Sequence, residues 1–134
     1  MGQNFRNIIA WQKADDMVVE IYSATQKYFP KYEMFALTQQ LHRAAVSVAA
    51  NIAEGAAKHT IAEYRSYLDH ALGSLNEVEY YIHLSQRLGY LDDKIAKHLF
   101  ALQGEAARTL NGLINAIDRQ IADGRKLNKL ATNV

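Results

Sequence analysis

Residues 60–88 read TIAEYRSYLDHALGSLNEVEYYIHLSQRL, and their spacing decides the fold. Ile61, Tyr64, Leu68, Ala71, Leu75, Val78 and Ile82 recur in steps of three and four, the seam of a helix packed in a bundle. Thr60-Ile61-Ala62-Glu63 fits a capping box, in which the threonine oxygen accepts the Glu63 N–H and the glutamate reaches back to the cap residue. Leu88-Gly89 supplies a glycine stop, so the spacing predicts a helix over 61–88.

Outward from this segment, the same period recurs. Ile8, Trp11, Ala14, Met17/Val18, Ile21 and Thr25/Tyr28 predict a first helix over 8–28, ended at Phe29-Pro30 because proline disfavours a helical residue before it. A second is predicted over 36–58, with Gly55 near its end. Asp92 and Asp93 suit the positive start of a fourth, over 93–123, whose stripe is Ile95, Leu99, Leu102, Ala106, Leu110, Leu113, Ile117 and Ile121 before Gly124. One proline and seven glycines are too few breakers for many short strands, so the class is all-α. Short connections make successive helices antiparallel, which predicts an up-down-up-down four-helix bundle over 1–124. Residues 125–134 carry three positive charges and no acid, a basic tail expected to fray or to dock on a neighbour.

Composition agrees with one domain. The chain has 134 residues, 49% hydrophobic and 22% charged, the balance of a globular protein with a real core. Fifteen basic against fourteen acidic residues leave +1, so any charge-driven partner must meet a local patch. With no cysteine there is no disulfide, thiolate zinc site or cysteine nucleophile. No signal-peptide pattern and no apolar run of about 18 residues occurs, which predicts a cytoplasmic protein with no membrane contact.

The second helix speaks to assembly. At 100° per residue, Gln40, Arg43, Ser47, Asn51, Glu54 and Lys58 fall in a polar strip only about 80° wide. Leu37, Leu41, Ala45, Val48, Ile52 and Ala56 fill one flanking sector, while His42, Val46, Ala49, Ala50, Ala53 and Ala57 fill the other with small, mostly apolar groups. A helix of an isolated bundle needs a single apolar stripe, so the second sector requires either a very central position or a partner subunit, and a homo-oligomer interface closed by rotational symmetry is the favoured reading.

Several motifs are recognisable: Trp11-Gln12-Lys13-Ala14, Ile21-Tyr22, Phe29-Pro30, then 40–47 QLHRAAVS, Asn51-Ile52-Ala53-Glu54-Gly55, and 71–79 ALGSLNEVE. Across about residues 5 to 120 the chain resembles a bacterial four-helix-bundle family whose members include proteins encoded in intervening sequences of 23S ribosomal RNA genes. Some of its members are labelled ribosomal proteins. The resemblance implies a cyclic pentamer and no known catalytic reaction. The family is similar to the accessory protein of diversity-generating retroelements, a basic pentamer that binds nucleic acid, and this implies RNA or DNA as a partner. Three positions depart from the family: Ser47-Val48-Ala49-Ala50-Asn51 stands where Ser-Ile-Pro-Ala-Asn is common, and Ala36 where glycine is frequent.

Catalytic chemistry finds little footing. A di-metal carboxylate bundle needs Glu-x-x-His pairs, and none occurs; His59/Glu63 and Glu79/His83 read as surface pairs. Ser47 and Ser74 lack a nucleophile elbow and read as small packing residues, with Gly73 permitting a close helix contact beside Ser74. Neither a cofactor, a metal nor an enzymatic activity is expected. Arg43, Lys58, Arg65, Arg119, Arg125, Lys126 and Lys129 are the candidate phosphate contacts. The reading is a non-catalytic oligomer binding nucleic acid; its rival is a scaffold for a protein partner.

Overall fold

The computed structural model describes residues 4–132, with side chains through Asn128. Its elements are α1 (Ile9–Tyr28), α2 (Leu37–Ala56), α3 (Ile61–Arg87) and α4 (Asp93–Thr132), with short 3-10 turns at Phe5–Asn7 and Lys31–Glu33. Each helix packs on two others in the cyclic order α1, α2, α3, α4, and the backbones of the diagonal pairs stay apart. This is the antiparallel up-down-up-down bundle, with no strand among the described residues.

The helix ends follow local chemistry. Thr60 Oγ1 accepts the Glu63 N–H at 3.1 Å, and the glutamate reaches back to the Thr60 hydroxyl at 3.0 Å. Asp92 Oδ1 accepts the Ile95 N–H at 2.8 Å and opens α4. At the far end of α3, Gly89 adopts a φ of +81°, letting the Tyr90 N–H reach the Ser85 carbonyl and the Gly89 N–H the Gln86 carbonyl. The turns after α1 and after α3 lie at the same end of the bundle and are tied together. There Tyr90 donates to Glu33 Oε2 at 2.7 Å, while the Tyr32 and Tyr90 hydroxyls stand 3.2 Å apart.

Fourth-helix length departs from expectation. Gly124 does not end α4, which continues to Thr132 through what reads as a tail. A glycine inside a helix costs about 1 kcal/mol relative to alanine. Arg125, Lys126 and Leu127 are good helix formers, and no proline follows to enforce a stop.

Core residues match the predicted stripes: Ala14, Met17 and Ile21; Leu41, Val48 and Ile52; Leu68, Leu75 and Ile82; Leu99, Leu110 and Ile117 are all buried. The tightest seam joins α2 to α3 at Gly55, where an added Cβ would stand 2.8 Å from Tyr67 Cβ and 3.0 Å from the Tyr64 ring. Gly73 is a correction to the sequence reading. A Cβ there would meet nothing within 4 Å, so the close helix contact belongs to Gly55 instead.

Candidate subunit and nucleic-acid interface

The second apolar sector of α2 does not enter the core. Val46, Ala50 and Ala57 are exposed, and His42, Ala49 and Ala53 half-buried, along the side of α2 that faces α1. Phe5, Trp11 and Val18 rise opposite Val46, Ala49, Ala50 and Ala53 to form a shallow apolar groove of about 260 Å³. Further along the same pair of helices, Val19, Tyr22, Thr25, Phe29, Met34, Thr38 and His42 line a second hollow of about 630 Å³. Beside it Tyr22, Met34, His42 and Phe35 line a third hollow of about 560 Å³, with Phe35 83% exposed and Met34 and Val19 also exposed. Scattered apolar residues are ordinary on a surface, but a largely apolar side of this kind, broken by Asp15, Ser23, Gln26 and Lys31, is a candidate packing surface.

Periodicity within the helices finds Val46, Ala49 and Ala50, but not Met34 and Phe35. Those two lie in the turn between α1 and α2, where no helical period applies. The single signal available there is composition: large apolar side chains in a connection that would ordinarily be polar.

His42 is the polar centre of this side. Its ring stacks on Tyr22 with centroids 3.8 Å apart. Thr25 donates its hydroxyl proton to the Tyr22 carbonyl at 3.1 Å, which leaves its oxygen to accept from His42 Nε2–H at 2.8 Å. Burial holds the imidazole neutral, with its pKa below the ordinary 6.5. A base lowered in this way contributes stability above 6.5 that is lost as the pH falls toward the folded value. Melting temperatures of wild type and His42→Gln, compared from neutral to mildly acidic pH, should show a steeper acid loss in wild type.

On the α2–α3 side, Ser47 and Ser74 hydroxyls meet at 2.8 Å, and Asn51 Nδ2 donates to the Ser47 carbonyl and hydroxyl at 2.8 and 2.9 Å. Both serines are therefore held as packing residues. The seven candidate phosphate contacts do not form one patch. Arg43 is exposed on α2, beside the hollow that Phe35 borders. Lys58 lies at the other end of α2, over the Tyr67 ring at 5.0 Å. Arg65 is claimed by Asp118 at 2.7 Å and by Asp69, two carboxylates that raise its pKa and offset its charge. Arg119, Arg125 and Lys126 are exposed on the last turns of α4, while the Lys129 side chain lies outside the described residues. No cluster of His, Asp or Glu suited to a metal occurs among the described residues, and no helix there is long and apolar enough to cross a membrane.

An antiparallel four-helix bundle with one largely apolar side is thus the class of protein that fold and surface define. The chain belongs to the 23S rRNA-intervening sequence protein family, whose model matches residues 6–112. A crystal structure of a protein of unknown function from the S23 ribosomal protein family, from Bacteroides thetaiotaomicron VPI-5482, is similar with a TM-score of 0.73. It is 24% identical and covers 79% of this chain and 98% of its own, a likeness that speaks to the fold alone. No curated protein matches the sequence.

Proposed function

We propose that the protein is a non-catalytic subunit of a cyclic homo-oligomer, a pentamer, that binds RNA or DNA through phosphate contacts. The apolar α1–α2 side carries the oligomer: Phe35, Val46 and Ala50 stand in water in a single copy, and a neighbouring copy removes them from it. Cyclic symmetry then repeats every exposed cation around one axis, summing charges that are modest in one subunit. Family membership and the exposed Arg43, Arg119, Arg125 and Lys126 support the nucleic-acid part.

Fluorescence anisotropy of labelled structured RNA and duplex DNA, titrated with nuclease-treated protein across a salt series, tests this reading. Phosphate-dominated binding must be saturable and must weaken steeply as salt rises, with little dependence on base sequence. Absence of binding even at low salt would transfer the function to the rival, a ring that presents helical surfaces to a protein partner.

A further inference from the structure

The last turns of α4 stand clear of the bundle. Lys13 meets Glu105 at 3.1 Å, which sets the first turn of α1 level with the middle of α4. Arg65 meets Asp118, so the first residue of α3, one turn earlier, is level with about residue 122. Beyond that level α4 has no helix beside it, and residues 122–132 project roughly 16 Å at 1.5 Å per residue. Burial agrees: Ile117 is buried, Ile121 half-buried, and every residue from Ala122 to Asn128 exposed.

This projection has surrendered its apolar stripe. The core face of α4 runs Ile114, Ile117 and Ile121, and the same face continues as Gly124 and Asn128. A helix built to dock on apolar protein surface would keep the stripe going. Leu127, 66% exposed, is the one large apolar side chain there among the described residues; Arg125 and Lys126, with Arg119 just below the projection, stand beside it against one exposed carboxylate, Asp123, and none of these three cations has an ion-pair partner among the described residues. The projection also lies outside residues 6–112, the segment that the family model matches.

We infer that this projecting, cationic end of α4 is the element that grips the nucleic-acid backbone. The inference rests on the nucleic-acid reading above and assigns it a place. Cyclic symmetry sets the projections of all copies at one level along the axis, where they form a ring of cations over one mouth of the assembly. A phosphate backbone is the partner that suits exposed arginine and lysine on a helix end whose core face has become Gly124 and Asn128.

The test uses the full chain in two triple variants that lose the same charge at opposite ends of the bundle. One is Arg119→Gln, Arg125→Gln, Lys126→Gln; the other is Arg87→Gln, Lys94→Gln, Lys97→Gln, all exposed residues. Binding of labelled RNA and duplex DNA is read by anisotropy at several salt concentrations, with helical content and melting temperature checked for each variant. The α4-end variant should bind about tenfold or more weakly and show a flatter salt dependence, since each phosphate contact contributes a slope of about 0.9 on duplex DNA. The opposite-end variant should bind within about twofold of wild type on the same ground. Equal binding by the α4-end variant, or equal loss in both variants, would overturn the assignment while the nucleic-acid reading stands. Failure of the wild type itself to bind either nucleic acid would overturn both.

Discussion

Replacing Gly55 by alanine is expected to destabilise the bundle by about 2 kcal/mol, although alanine is the better helix former by about 1 kcal/mol. The cause is steric. An alanine Cβ would stand 2.8 Å from Tyr67 Cβ, 3.0 Å from the Tyr64 ring and 3.3 Å from the Tyr64 carbonyl. A Cβ and a carbonyl are fixed to the backbone of α3, so relief requires the helices themselves to separate rather than a side chain to turn. Such separation would loosen the buried Ile52, Ala56 and Leu68 around the seam. Gly73→Ala is the matched control: its Cβ meets nothing, so helix propensity alone acts and stability should rise by up to about 1 kcal/mol. Chemical denaturation of the two variants beside wild type should therefore move the midpoint in opposite directions.

A second large effect is expected at the subunit interface. Val46→Arg combined with Ala50→Arg places two cations on adjoining turns of the exposed α2 sector, in the groove beside Trp11 and Val18. In a single copy both residues face water, Val46 being 42% exposed, so the bundle should keep its helicity and its melting should change little. In an assembly the two charges would be buried at every subunit contact with one carboxylate, Asp15, in the groove to face them, so at least one stays unpaired at a cost of several kcal/mol. That corresponds to at least a hundredfold weaker association per contact, and the solution mass should fall to one protomer. Asn111→Arg, on the exposed side of α4, adds a charge away from the face and should leave the mass unchanged.

Local chemistry was legible in the sequence wherever neighbours in the chain decide the outcome. Pro30, the Thr60–Glu63 box and the Gly89 stop each act within a few residues, and each appears in the structure where the reading puts it. The two apolar sectors of α2 were likewise readable, because a helix of small residues leaves little choice about which side meets the core. Pairings across the fold were not. Arg65 and Asp118 are 53 residues apart, and nothing in either neighbourhood announces that the cation is already matched. Gly55 and Gly73 look alike in sequence, both in helical runs rich in small residues; the level at which α2 crosses α3 distinguishes them. Gly124 misleads for a similar reason, since a glycine halts a helix when a left-handed turn follows, and Gly89 alone among the described residues has a positive φ.

The proposed oligomer needs the α1–α2 side to be a surface that a second copy covers, and the solution mass of the purified full chain tests that most directly. Light scattering at micromolar concentration should give a stable multiple of the 15.1 kDa protomer, fivefold for a pentamer. A mass of 15.1 kDa that persists as the concentration is raised would contradict the account and leave the exposed Phe35, Val46 and Ala50 to a different partner.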